Sequence, residues 1–230
     1  MKIAERSLPP PPPPPPVSTR TGGADPATGE VRYLALGDSI SAGGGLPDPE
    51  RASFPARLAA RWREAGCTVT LKNLGVSRFT AADVIRDQLP QIEAFAPTLV
   101  TVQVGSNDVA TKVPLATYRA EVRAILDAAT RAGARVLVLG QNEWFRAPDG
   151  PSYGGTFEKR EAFDAVLFEE ARRHDAELVD LRSLYRRQAD APARSWSADG
   201  IHPTASAYDE MAAEIARVVP APSLRARAGA

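Results

Sequence analysis

Cysteine and histidine are scarce: one Cys, Cys67, and two His, His174 and His202, in 230 residues. A single cysteine excludes an internal disulfide and any multi-cysteine metal site. Two histidines far apart in sequence would leave a zinc centre almost nothing but carboxylates, so no metal is called for. No organic cofactor is called for either, because the chain has neither a G-x-G-x-x-G turn nor a phosphate-binding G-x-x-x-x-G-K stretch. No window approaches the roughly 18 apolar residues of a membrane helix. The N-terminus, Met1 to Arg6, runs into prolines instead of the apolar segment of a secretory signal, so the expected compartment is the cytoplasm. Net charge is also missing. Lys and Arg number 28, as do Asp and Glu, so no global field draws the chain to nucleic acid or an anionic membrane, and a neutral small molecule is the partner that fits.

What is present is enough apolar material for one large core. Hydrophobic residues make up 43% of the chain, and at this length a second independent domain would be cramped. Residues 1–30 stand outside the expected fold. Pro9 to Pro16 is an unbroken proline run, extended by necessity, and Val17 to Glu30 is rich in Ser, Thr, Gly and Ala. Pro220-Ala221-Pro222 ends the last helix, which leaves residues 220–230 as a short basic tail. The domain is therefore expected over residues 31–219.

Within it, apolar and β-branched runs recur at Val31 to Leu36, Thr68 to Leu71, Thr98 to Val104, Arg135 to Leu139 and Glu177 to Leu181. The second run opens at Cys67, which reads as a small buried hydrophobe. Helical periodicity fills the intervals: Phe54, Leu58 and Trp62 lie four apart, Tyr118, Val122, Ile125, Leu126 and Ala129 trace one stripe, and Tyr208, Met211, Ala212, Ile215 and Val218 trace another. Thr80 with Asp83 resembles a capping box, and Pro90 should kink or end the helix that follows. Strands alternating with helices predict an α/β protein, a three-layer α/β/α sandwich on a five-stranded parallel sheet buried on both faces.

In such a sheet, ligands sit at the carboxyl edge of the strands. The first strand stops there at Gly37-Asp38-Ser39, the second at Asn73-Leu74-Gly75-Val76-Ser77, the third at Gly105-Ser106-Asn107-Asp108; Asp199-Gly200-Ile201-His202-Pro203 precedes the last helix. A serine hydroxyl becomes a nucleophile when a base takes its proton, and histidine does so near neutrality. His202 is the candidate base, with the Asp199 carboxylate close enough in sequence to orient its ring. His174 ends a helical stretch beside Arg172 and Arg173 and reads as a solvent-facing cap. An oxyanion needs donors: the N–H groups of Ser39 and Gly75 qualify, and Asn107 could add a side-chain amide. The segment Gln141 to Phe157, with Trp144, Phe145 and Tyr153, together with Trp196, either walls a substrate pocket or packs its loop against the domain.

These four blocks together resemble the SGNH hydrolases, also called GDSL esterases and lipases, over about residues 31–219. The resemblance implies a flavodoxin-like three-layer fold. It further implies Ser39 as nucleophile and first oxyanion donor, Gly75 and Asn107 as further donors, His202 as base and Asp199 as its partner. The implied reaction is hydrolysis of a small ester, of short acyl or acetyl type, through an acyl-enzyme. Arg78 departs from the pattern, standing where many relatives have glycine. Two other classes remain. A signalling receiver would want a phospho-accepting aspartate after the third strand and a lysine after the fifth, where this chain has Gly105-Ser106 and Leu181-Arg182. A catalytically silent binding protein would have no need to hold Ser39, Asn107, Asp199 and His202 together.

Overall fold

The computed structural model describes residues 29–221. Residues 1–28 of the proline-rich tail and all but the first two residues of the C-terminal tail lie outside the described residues, and Glu30, placed in that tail by the sequence, instead opens the first strand. Five parallel strands, β1 (Glu30–Gly37), β2 (Thr68–Asn73), β3 (Leu99–Gln103), β4 (Arg135–Leu139) and β5 (Glu177–Val179), form one sheet in the order β2-β1-β3-β4-β5. The connection from β1 runs outward to β2, and the chain then crosses back to β3 on β1's other side. Such a reversal leaves a crevice beyond the carboxyl ends of β1 and β3.

Strand alternation sorts the core into two layers. Leu34, Leu36, Val100, Val102, Val136 and Val138 face one way, toward α4 (Leu115–Arg131) and α5 (Phe157–Arg173). Val31, Tyr33, Ala35, Leu99, Leu137 and Leu139 face the other, toward α2 (Phe54–Glu64), α6 (Arg182–Ala189) and α7 (Ala205–Val218). Because both faces are covered, the strands read as continuous apolar runs. The stripe expected on α4 is fully buried, as are Phe54, Leu58 and Trp62 of α2 to within 1%. Two very short helices complete the site's framework: α1 (Ser39–Ala42) directly after β1, and α3 (Ser106–Ala110) after β3.

The Thr80–Asp83 capping box is present, with the Thr80 N–H donating to Asp83 Oδ2 at 3.0 Å. The stretch ahead of Pro90 is neither broken nor simply kinked. It widens into a π-turn at Val84–Gln88 and tightens into a 3-10 turn at Leu89–Gln91. A π-turn shifts the register of the backbone donors, which suits a ring that has no N–H to give. The distortion carries the buried Gln88 to the end of β1. There its amide accepts from the Gly37 N–H at 2.9 Å and donates to the Gly37 carbonyl at 2.8 Å. No helix among the described residues is long and apolar enough to cross a membrane.

Candidate active site

Ser39 is the first residue of α1, directly after β1, so its N–H has no acceptor within the helix. Asp38 caps the helix, its Oδ1 accepting from the Ile40 N–H at 2.9 Å. The Asp38 carboxyl is fully buried. Burial, against the pull of the Ile40 N–H and with the neighbouring Asp108 charge adding to it, raises it to about 7. Asp108 is likewise raised to about 7, chiefly by burial, while it accepts from the Ala81 N–H.

His202 and Asp199 form a closed unit on one tight turn. Asp199 Oδ2 lies 2.7 Å from His202 Nδ1, and Asp199 Oδ1 accepts from the Ser197 hydroxyl at 2.7 Å and from the N–H groups of Ile201 and His202 at 3.1 and 3.0 Å. Partial burial works against the charged carboxylate. These hydrogen bonds, led by that of the His202 backbone, outweigh it and hold Asp199 well below the usual carboxylate range. One oxygen therefore shapes the turn while the other orients the imidazole. The ring is pressed against Gly44, where an added Cβ would stand 2.6 Å from His202 Cδ2 and 2.8 Å from Nε2. Only glycine lets the loop after α1 lie this close to the imidazole. Tyr208 of α7 fixes that loop by donating to the Gly44 carbonyl at 3.1 Å.

Ser39, Asn107 and His202 line a single cavity of about 230 Å³ with Ile40, Ser77, Arg78, Ser106, Asn142, Trp144, Tyr153 and Ile201. Asn107 Nδ2 donates to the Phe79 carbonyl at 2.9 Å and to Asp38 Oδ2 at 3.4 Å. The second contact is longer than a well-formed hydrogen bond and can be given up to a better acceptor.

Gly75 is placed differently from the expectation. It is absent from the cavity lining, and its N–H donates to Asn73 Oδ1 at 3.0 Å, while Asn73 Nδ2 donates to the Ser41 carbonyl at 2.7 Å. An added Cβ at Gly75 would stand 2.3 Å from the Ala42 nitrogen, so this glycine is needed for close approach of its loop to α1. The residues of that loop which reach the cavity are Ser77 and Arg78, the latter held at φ 70° in the left-handed region. Its N–H has no acceptor among the described residues.

The four aromatics divide. Trp144 and Tyr153 line the cavity. Phe145 instead sits against the core and edge-on to Trp144, 5.5 Å between ring centroids, and Trp196 is buried in the same core with a backbone bridge to Pro203. The Trp144 ring is itself fixed, its Nε1 donating to the Gly154 carbonyl at 3.0 Å. His174 takes no part. Its Nδ1 meets the Glu170 carbonyl and its Nε2 meets Asp127, beside the start of β4 at the opposite edge of the sheet. Cys67 is buried next to β2. No group of three or more His, Cys, Asp or Glu among the described residues is arranged to hold a metal ion.

Residues 35–210 match the family described as GDSL-like lipase/acylhydrolase. The chain belongs to that family. This GDSL-like hydrolase is 29% identical to esterase TesA of Pseudomonas aeruginosa over 179 residues, which cover 77% of this chain and 82% of TesA. Its fold is similar to a crystal structure of TesA, with a TM-score of 0.70 at 27% identity over 84% of this chain and 99% of that one. A D162A mutant of esterase AlinE4 is 30% identical over 86% of this chain and 98% of its own, with a TM-score of 0.57. The acetylxylan esterase Axe2 of Geobacillus stearothermophilus, at 17% identity and a TM-score of 0.69 over 83% of this chain and 94% of its own, shares the fold. As a member of this family the chain is an ester hydrolase of the GDSL type.

Asn142 is the cavity residue that sequence reasoning missed. Its signal was the polar triplet Gln141-Asn142-Glu143, which follows the apolar run of β4 at the same sheet edge as the other blocks.

Proposed function

We propose that this chain hydrolyses short-acyl esters through a Ser39–His202–Asp199 triad and a covalent acyl-enzyme. The observation that carries the reading is the convergence of Ser39, Asn107 and His202 on one cavity, with the imidazole already tied to a carboxylate on its far side. His202 Nε2 takes the hydroxyl proton as Ser39 Oγ attacks the ester carbonyl, and then delivers it to the departing alkoxide as the C–O bond breaks. Water, deprotonated by the same ring, attacks the acyl-enzyme and restores Ser39. Asp199 stabilises the transient imidazolium, a role suited to a carboxylate that stays ionised.

The oxyanion of each tetrahedral intermediate needs donors fixed in advance. The Ser39 N–H and the Asn107 amide are two. For the third we assign the Arg78 N–H in place of Gly75, whose N–H is engaged by Asn73. The size of the cavity supports a short acyl group, since sites for drug-sized ligands run from about 300 to 1,000 Å³.

A fluorophosphonate separates an esterase from a silent binding protein on the same fold. The expected result is stoichiometric labelling of Ser39 and, in Ser39→Ala, loss of both labelling and p-nitrophenyl butyrate hydrolysis. Wild-type hydrolysis retained by Ser39→Ala would overturn the mechanism.

A further inference from the structure

Two side chains on the cavity wall, those of Asn142 and Arg78, have no part in the acyl transfer described above, which uses only the backbone N–H of Arg78. Asn142, in the loop after β4, is only 2% exposed, and neither its Oδ1 nor its Nδ2 has a hydrogen-bond partner. A buried carboxamide left without partners is costly to fold around. Its neighbour Gln141 is anchored, with both its N–H and its Nε2 donating to Asp164 Oδ1, so the loop is fixed while the Asn142 amide stays unpaired. The second group is Arg78. It is exposed, forms no ion pair or side-chain hydrogen bond among the described residues, and is the sole Lys or Arg lining the cavity, where no Asp or Glu appears. Elsewhere arginines such as Arg119, Arg123, Arg135 and Arg182 are each tied to a carboxylate. The cavity lining thus carries one unpaired cation, with the nearest carboxylates, Asp199 and Asp38, set behind His202 and Asn107.

The strand order sets where these groups stand. Arg78 follows β2, Ser39 follows β1, Asn107 follows β3 and Asn142 follows β4, so an ester carbonyl seated between Ser39 and Asn107 has Arg78 on one flank and Asn142 on the other. We infer that Asn142 and Arg78 determine specificity, selecting esters that carry a carboxylate or similar anion close to the reacting carbonyl. The guanidinium supplies the charge and the Asn142 Nδ2 supplies a directional donor from a desolvated wall. This deepens the reading of the chain as a short-acyl esterase and rests on it.

The test uses substrate pairs that differ in charge. Mono-p-nitrophenyl succinate against p-nitrophenyl butyrate places the anion on the acyl side, and 4-acetoxybenzoate against phenyl acetate places it on the alcohol side. The expected result is a kcat/KM ratio favouring the anion by about tenfold in at least one pair, the scale of one hydrogen bond to a charged group. Arg78→Met should bring that ratio near one, and Asn142→Asp, which keeps the shape but adds a like charge, should invert it. A loop merely distorted by substitution would lower both members of a pair equally. Equal ratios in the wild type, or ratios that neither variant moves, would overturn the proposal. Binding of monomethyl succinate against methyl butyrate to Ser39→Ala, followed by tryptophan fluorescence, reads the same preference without turnover. If no substrate is hydrolysed but this preference holds, the esterase reading fails and the recognition survives; equal binding of the two there counts against the recognition itself.

Discussion

At the scale of single residues, this site turns on how each hydrogen bond is already committed. Asn107 lends one amide hydrogen firmly to the Phe79 carbonyl and holds the other against Asp38 at 3.4 Å, so its donor is aimed but not spent. Asn107→Ala should lower kcat by about 10²–10³ with little change in KM, as for one oxyanion donor, measured on p-nitrophenyl butyrate. Gly75 has the reverse character, its N–H engaged and the space a Cβ would need taken by the Ala42 nitrogen. Gly75→Ala should destabilise the fold by about 1–3 kcal/mol, the usual cost of overpacking, read from urea unfolding midpoints. It should depress activity by displacing α1, so that the loss of activity accompanies the loss of stability. A glycine in the right block announces that something comes close, and the sequence does not say whether that is an oxyanion or a backbone.

At the scale of elements, the loop between β4 and α5 is supported by buried charge. Arg160 is 1% exposed and reaches Asp164 at 3.2 Å and Glu143 at 3.5 Å, and Asp164 in turn anchors Gln141. Glu143 also pairs with Arg146 at 2.8 Å. Asn142 and Trp144 stand on either side of Glu143, so the cavity wall rests directly on this network. The wall is tied to the base as well, because the Asp149 N–H donates to the Gly200 carbonyl at 2.8 Å. Arg160→Met leaves the buried Asp164 without a cation, Glu143 keeping Arg146, and should cost about 3–5 kcal/mol in urea unfolding, the penalty for removing one partner of a buried ion pair. The same variant should raise KM more than it lowers kcat, since it loosens the wall before the nucleophile.

At the scale of the whole molecule, buried carboxyls set the pH dependence of stability. Asp38 and Asp108 are raised to about 7 and Asp164 to about 6, each chiefly by burial. Between the ordinary carboxyl range and these values the folded state holds more protons than the unfolded chain. Stability from these groups is complete below about pH 4 and is lost as pH rises toward 7. Asp199, Asp180 and Glu170 are held below their ordinary values, so their contribution is present above about pH 4 and is lost in stronger acid. Urea midpoints should therefore peak near pH 4 and fall toward pH 8, and Asp108→Asn should flatten that fall. A midpoint that climbs steadily from pH 5 to 8 would contradict this.

The sequence by itself determined the layers and the order of the blocks. Apolar runs of strand length between amphipathic helices admit a parallel sheet covered on both faces, and local spacing alone set Asp199 three residues before His202. The residues near the ends of those runs, Ser39, Asn107 and the Asp199–His202 turn, were legible because each stands where an apolar pattern stops at polar chemistry. Tertiary structure alone decided what lies across the gap between loops distant in sequence. It turned Gly75 toward Asn73 and Arg78 toward the cavity, sent Phe145 and Trp196 into the core while Trp144 and Tyr153 stayed at the wall, and left the buried Asn142 amide without a hydrogen-bond partner. The physical reason is that burial and hydrogen-bond partnership in a loop depend on which backbone arrives from elsewhere in the chain, and side-chain periodicity carries no record of that.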